Sequence, residues 1–427
     1  MEHPQSVWLT TANPAPRLPQ LERDYQTDVA IIGAGYTGLS AAHHLAGAGV
    51  ACIVLEANDV GWGGSGRNGG MAVLRYKTSW GALARDLGEE RTRALHRLLF
   101  SAFDLLEAAV SEYRIDCGFV RCGQITAANG RRAVAMLRAD VAWLSSIGDH
   151  VPRMLSADAT RELTGTDAYL GGYLDTRAGA IHPLNYVRGL AAGVAGRGVP
   201  IFVGTRVDTV RDENNGIVLV TSRGVVRAKQ LLIATNAYTD LVKFGTDLGS
   251  RIVPVSTSIV TTVPLPDAAL AAILPARNVV SDTRHLLNYF RIGPGNRVLF
   301  GGRGSLTGQE TADVYAGLER KLIATFPTLD GVAIDHRWSG KVAVTLDDFP
   351  HVGRLSPRIA YAIGYGGRGV VLTNLLGKAL AELALGQSPE LGPMSAAAFS
   401  RIPLQAVRLP AMKAVAGYYG LLDRLKL

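Results

Sequence analysis

Apolar positions recur along this chain with two periods, and the changes of period divide it. The first unit, DVAIIGAGYTGLSAAHHLAGAGVACIVLE, opens on a continuous apolar run. Asp28 to Ile32 reads as a strand buried on both faces, Tyr36 to Ala46 as a helix, and Ala51 to Leu55 as a second, parallel strand. A glycine-dense loop follows. Glu89 to Arg114 then carries Leu95, Leu98, Leu99, Phe103, Leu106 and Val110 along one stripe, the spacing of a long amphipathic helix. A strand is expected over Phe119 to Ala127 and a shorter helix over Arg131 to Ser146.

Ser156 is a good N-cap for a helix through Glu162, and Pro183 suits the first turn of another in HPLNYVRGLAAGVAGRG. Short strands are expected at Pro200 to Val203, Gly216 to Ser222 and Leu231 to Thr235. Residues 252–345 hold β-branched runs, IVPVSTSIVTTV and RVLFGG, and read as a mainly antiparallel sheet. IAYAIGYGGRGVVLTNLLGKALAELALG returns to strand, glycine turn and helix. The fold class is therefore α/β and α+β: a Rossmann-like dinucleotide-binding domain interleaved with a second, mainly antiparallel-sheet domain. The boundaries expected are an N-terminal arm over 1–27, dinucleotide-binding segments at 28–80, 150–250 and 346–390, a substrate domain from 81–149 and 251–345, and a tail over 391–427.

Composition narrows the function. A net charge of +8 comes from arginines scattered along the chain, which suits small anions and leaves no basic block for nucleic acid. Cys52, Cys117 and Cys122 form no CxxC pair, so a reduced, cytoplasmic protein is expected. The nine histidines form no ligand cluster, and no metal is expected. No window reaches the roughly 20 apolar residues of a membrane helix, and the first residues do not read as a secretory signal. Pro4, Pro14, Pro16 and Pro19 suggest an extended arm on the surface. In the tail, Met412, Val415, Tyr419, Leu422 and Leu425 can share one helix side, better suited to packing on the domain or a subunit than to a membrane. A monomer or homodimer is expected.

Gly33-x-Gly35-x-x-Gly38 lies between predicted strand and helix, and Glu56 ends the next strand. Gly33 permits the tight turn, Gly35 lets backbone approach a pyrophosphate, and Gly38 lets helix and strand close together. The helix N-terminus favours phosphate, and Glu56 can accept from the adenosine ribose hydroxyls. The motif alone does not choose between NAD and FAD. The loop GWGGSGRNGG, Gly61 to Gly70, begins five residues after Glu56 and re-enters the same crevice. Its backbone N–H groups and Ser65 can meet phosphate and ribityl oxygens, and Arg67 can add charge-assisted bonds. A nicotinamide enzyme has no evident need of this second loop.

GAGYTGLSAAHHLA, GGSGRNGG, IATNAY, LFGGR, RWSG, FPHVGR and GYGGRGV occur in one order along the chain. That order resembles the D-amino-acid-oxidase-like (glycine/sarcosine oxidase) superfamily of FAD enzymes, and most of all its gamma-glutamylputrescine oxidase branch. The resemblance implies that Gly33, Gly35, Tyr36, Thr37, Gly38, Glu56 and Ala57 hold the ADP half of FAD. Gly64, Ser65, Arg67, Asn68, Gly69 and Gly70 would line the path from pyrophosphate to flavin. Val207 would meet adenine through its backbone, and Thr235 and Asn236 would pass the cofactor on a loop. Gly366, Gly367, Arg368, Gly369 and Val370 would open a helix aimed at the flavin carbonyl, where charge develops on reduction.

The resemblance also implies an amine oxidase: hydride passes from the amine α-carbon to flavin N5, the imine hydrolyses to an aldehyde, and oxygen leaves as hydrogen peroxide. Only a free amine lone pair is required, so activity should rise with pH. Tyr289, Arg303, Trp338 and Arg368 are the candidate catalytic residues, with Arg291 and His351 as further candidates for the flavin's surroundings. Departures matter as well. Val371 replaces a carboxylate-binding lysine, no cysteine lies near Val342 or Ala343 to attach flavin covalently, and the RVLFGG strand lacks a lysine associated with oxygen. The FAD is therefore expected to be noncovalent and sarcosine a poor substrate. Arg368 replaces a histidine and would repel a cationic amine or bind an anionic group. A dehydrogenase with another acceptor, or a flavin-binding protein without turnover, remains the alternative.

Overall fold

The computed structural model describes residues 2–242, 247–305, 310–395, 399–402 and 408–426. Two eight-stranded sheets organise it. The first runs His351–Ser356, Ile359–Ile363, Gly224–Ile233, Tyr25–Ile32, Cys52–Leu55, Ile201–Phe202, with Gly216–Thr221 added antiparallel to Gly224–Ile233 and Val207–Glu213 antiparallel to Gly216–Thr221. Its central pairings are parallel. Alternation along the first strand fills both faces. Val29 and Ile31 join the helical layer, whereas Ala30 and Ile32 join a separate cluster under the other face.

The helical layer holds Tyr36–Gly47, Glu89–Glu112, Pro183–Gly196 and Gly369–Ala384. Two of these helices approach closely: a Cβ on Gly377 would stand 2.5 Å from Ser40 Cβ. Ser40 Oγ donates to the Asn374 carbonyl at 2.8 Å across the same seam.

The second sheet runs Ile334–Val344, Val253–Thr262, Arg297–Arg303, Tyr289–Gly293, Val279–Asp282, Gln124–Ala127, Gly172–Asp175, Arg153–Leu155. All its pairings are antiparallel except Val279–Asp282 with Gln124–Ala127. Period-2 alternation again sorts the side chains. Phe290, Val298 and Phe300 pack beneath it on Leu318 and Leu322 of the helix Ala312–Thr325. Tyr289, Leu299 and Trp338 belong to the opposite face, which abuts the first sheet's helical layer.

Three expectations need correction. Arg153–Leu155 and Gly172–Asp175, within the range assigned to the dinucleotide-binding domain, pair into the second sheet. Glu89–Glu112, assigned to the other domain, packs against Gly369–Ala384. Both differences arise because a strand or an apolar stripe does not name its partner in sequence. The N-terminal arm is an irregular surface segment over residues 12–20 as expected, but not before them: Ser6 caps a single turn, Val7–Thr10, and Val7 and Trp8 are fully buried. In the tail helix Arg408–Leu425, Tyr419 stacks on His285 at 4.9 Å, while Val415 and Leu425 are exposed. No helix among the described residues is long and apolar enough to cross a membrane.

Candidate functional site

The first strand ends in a turn at Gly33, whose φ of +106° only glycine adopts without strain. A Cβ there would also sit 3.0 Å from the Ala234 carbonyl, and one on Gly38 would overlap the Gly33 carbonyl. Helix Tyr36–Gly47 therefore starts hard against the strand end. Ser65 Oγ accepts from the Tyr36 N–H at 3.0 Å, which folds the glycine loop back onto that helix start. Glu56 is held from both sides: one carboxylate oxygen accepts from Ala34 N and the other from Asn58 N, each at 2.9 Å. Burial raises its carboxyl above the usual range, a rise that the two N–H groups reduce but do not cancel.

The loop Gly61–Gly70 is braced by its own side chains and by the second sheet. Asn68 Nδ2 donates to the Gly64 and Ser65 carbonyls, and its Oδ1 accepts from Gly70 N at 2.8 Å. Arg67 departs from the expected phosphate role. Its Nε donates to the Trp62 carbonyl at 2.6 Å and its Nη1 to the Ser339 carbonyl at 3.3 Å, with the guanidinium 4.4 Å over the Trp62 ring. Gly69 accommodates the Tyr289 ring, which would lie 2.8 Å from a Cβ. Gly70, at φ +65°, lies against the Ile181 carbonyl.

Between these parts runs a cavity of ≈ 510 Å³, within the range of small-molecule sites. Glu56, Ala57, Val207 and Ser222 line it, together with Gly33, Gly35, Tyr36, Thr37, Gly64, Ser65 and Asn68. Thr235 and Asn236 also form its wall, as do Gly367, Gly369 and Val370. The helix Gly369–Ala384 thus presents its N-terminus to the cavity, where its unpaired N–H groups favour negative charge. Asn236 Oδ1 accepts from Gly364 N at 3.0 Å and ties the side wall to that helix's leading turn. Cβ atoms on Gly366 or Gly367 would meet nothing within 4 Å, so this turn borders open space.

Gly38, Arg67, Gly69, Gly70, Gly366 and Arg368 do not form the cavity wall. The first four shape or brace what does; Gly366 and Arg368 flank Gly367, which does. The candidate catalytic residues also stand outside it, yet Tyr289, Arg303 and Trp338 share one side of the second sheet by alternation with Leu299. Tyr289 is held against Gly69 and Gly301, and burial pushes its hydroxyl up. Trp338 departs from expectation. It is fully buried and donates its Nε1 to the Arg67 carbonyl at 2.9 Å, a bracing role. His351 is likewise structural, buried between Asp347 at 3.0 Å and the Phe399 ring at 4.3 Å.

Arg368 caps the cavity-facing helix and is partly accessible. Burial, with repulsion from Arg75 added, lowers its guanidinium to about 9. Arg75 itself is buried, donating to Thr126 Oγ1 at 2.9 Å and lying 4.0 Å from Asp140. Arg291 makes no ion pair among the described residues; burial lowers it to about 10, and its Nη1 donates to the Gly70 and Ile181 carbonyls.

Sequence reasoning missed Trp8, whose Nε1 donates to the Asn68 carbonyl at 2.8 Å. It also missed Tyr238 and Lys341 in the cavity wall, and Tyr365, whose hydroxyl pairs with Thr37 Oγ1 at 2.7 Å. The one available signal was Ser6 before an apolar pair, a capped turn too short for periodicity to register. No group of three or more His, Cys, Asp or Glu among the described residues could hold a metal.

The chain belongs to the DAO family of FAD-dependent oxidoreductases, whose pattern covers residues 28–383. It is 34% identical over 430 residues to the gamma-glutamylputrescine oxidoreductase of Escherichia coli, covering 99% of each chain. In structure it resembles glycine oxidase from Geobacillus kaustophilus, with a TM-score of 0.75, 22% identity, and 88% and 99% of the two chains covered. L-proline dehydrogenase from P. horikoshii gives a TM-score of 0.73 at 20% identity, over 88% and 96%. The protein is thus an FAD-dependent oxidoreductase. The chemistry of the cavity agrees: a carboxylate, bare glycine backbone and a helix N-terminus in one wall fit that dinucleotide.

Proposed function

We propose that the protein oxidises an amine bearing a remote anionic group, a gamma-glutamylated amine foremost, with oxygen as acceptor and hydrogen peroxide as product. The observation that carries the reading is Arg368 at the N-cap position of the cavity-facing helix, within electrostatic reach of the buried Arg75. A guanidinium there disfavours a protonated amine and attracts a carboxylate. The sequence relative reported above, an oxidoreductase of gamma-glutamylputrescine by its name, supports the same class.

In this reading Glu56 accepts from the ribose hydroxyls, and the glycines at 33 and 35 admit the pyrophosphate. We take the attachment to be noncovalent, because no cysteine stands near Val342 or Ala343. FAD, when bound, supplies the two-electron acceptor for the hydride of the amine α-carbon. The helix Gly369–Ala384 stabilises the negative charge that accompanies reduction. Tyr289 and Arg303 bound the substrate from the second sheet, and Arg368 holds its anionic group. The amine nitrogen lone pair closes to C=N as the hydride leaves, and water hydrolyses that imine to aldehyde and free amine or ammonia.

Peroxide release under air, over a panel of gamma-glutamylated amines, polyamines and N-methyl amino acids, tests this. Fastest release with gamma-glutamylated amines is expected. Preference for unmodified polyamines would contradict the anionic-group assignment. The strand Arg297–Arg303 has no lysine, which favours a second reading, a dehydrogenase. Substrate consumed with an artificial acceptor and no peroxide under air would select it.

A further inference from the structure

Carbonyls of the cofactor loop are held by three donors from three distant parts of the chain. Trp338 takes the Arg67 carbonyl at 2.9 Å, Trp8 the Asn68 carbonyl at 2.8 Å, and Arg291 the Gly70 carbonyl at 2.6 Å. In a trans peptide the C=O and N–H point to opposite sides. Holding the Arg67 and Asn68 carbonyls against these buried donors therefore turns the N–H groups of Asn68 and Gly69 the other way.

Two of the three donors are built into the second sheet. Trp8 is different: it arrives on the single turn Val7–Thr10, which has no strand of its own. Side chains fasten that turn. Ser6 Oγ accepts from Leu9 N at 3.2 Å, Thr11 Oγ1 meets His182 Nε2 at 3.1 Å, and Asn13 N donates to Asn185 Oδ1 at 2.8 Å. The loop returns the contact, since Trp62 Nε1 donates to the Glu2 carbonyl at 2.8 Å. The Trp8 ring lies edge-on to Trp338 at 6.2 Å and to His182 at 5.0 Å, with the Arg291 guanidinium 5.8 Å from its centroid. The segment before Asn13 is thus fixed to the loop at both Asn68 and Trp62.

We propose that this N-terminal segment is a strap that holds the cofactor loop in its FAD-binding shape, with Trp8 as the positioning residue. The proposal rests on the assignment of FAD to the cavity. Trp8 touches the loop and acts on the cofactor only through it. Coupling of this kind is reciprocal: seating the strap strengthens FAD binding, and FAD binding tightens the strap by the same factor.

The test compares wild type with Trp8→Phe, which keeps a ring and removes the N–H donor. FAD is titrated into each apoprotein by fluorescence, and apoprotein thermal stability is measured alongside. The dissociation constant should rise about three- to tenfold in W8F, the loss of one buried hydrogen bond. A bystander tryptophan would lower apoprotein stability and leave the FAD constant unchanged, and that result overturns the strap. Should W8F fail to fold, hydrogen exchange on wild type decides. The N–H groups of Leu9, Thr10 and Thr11, bonded to the Ser6 and Val7 carbonyls, should exchange more slowly with FAD than without; equal rates overturn the proposal. A wild-type chain that binds no FAD contradicts the cofactor assignment itself, whereas equal FAD affinity of wild type and W8F contradicts the strap alone.

Discussion

Both carboxylate oxygens of Glu56 already accept a backbone N–H, and each keeps a second lone pair for a ribose hydroxyl. Glu56→Gln turns one acceptor into a donor facing an N–H. FAD affinity should fall by about tenfold or more, the scale of an unsatisfied buried group; equal affinity in a fluorescence titration would count against the assignment. Arg368 gives a second expectation. Burial and Arg75 lower its guanidinium, but it keeps its charge over the working pH range. The substrate amine, in contrast, becomes reactive as it deprotonates. The rate constant kcat/KM should therefore rise between about pH 7 and 10, and Arg368→Met should lower it for amines with a remote anionic group while keeping that rise. A flat profile over that range contradicts the free-amine requirement, and an unchanged kcat/KM in the variant contradicts the role of Arg368. Glu56 was legible in the sequence because its chemistry is tied to a spacing from Gly33, Gly35 and Gly38. Trp8 was not, because a lone tryptophan in a proline-rich segment carries no period. Arg67 and Trp338 were read for their chemical type, and only the fold shows which carbonyls claim them.

Strands and helices were legible wherever a period persisted over enough residues. Val29 and Ile31 against Ala30 and Ile32 make a two-sided strand, and the Leu95 to Val110 stripe makes the helix Glu89–Glu112. What pattern does not encode is the distance between elements. Gly377 sits at the seam of two helices where a Cβ would crowd Ser40, so Gly377→Ala should destabilise the fold by about 1–3 kcal/mol through overpacking. Thermal unfolding checks this, and an unchanged midpoint would mean that the helices stand further apart. The tail helix shows the opposite limit. Its stripe was readable and Tyr419 on it stacks on His285 beside the Asp423 contacts, yet Val415 and Leu425 of the same stripe remain exposed.

Across the whole molecule, the two sheets draw strands alternately from the chain, so neither forms from one continuous segment. That interleaving was legible from dinucleotide-type units at both ends; the placement of residues 153–155 and 172–175 was not, since pairing across sequence distance leaves no local mark. Long-range polar ties join these parts. Asp149 receives His96 Nε2 at 3.0 Å from the helix Glu89–Glu112 and Arg177 Nη2 at 2.8 Å from beyond the strand Gly172–Asp175. Burial alone would raise its carboxyl, but those two bonds outweigh burial and hold it at about 2. A depressed value stabilises the fold above the unfolded carboxyl's pKa of about 3.9, and that contribution is lost as pH falls through about 2. Asp149→Asn should flatten the acid limb of the melting temperature; an unaltered limb would assign it to other carboxylates. The central claim is that the cavity between Glu56 and Gly369 holds FAD without a covalent bond. Absorbance of the purified chain, before and after heat denaturation and filtration, tests it most directly. A flavin band that follows the protein when native and passes into the filtrate after denaturation is expected. A chain that is colourless and takes up no FAD, or one that keeps its colour on the denatured polypeptide, would contradict the claim.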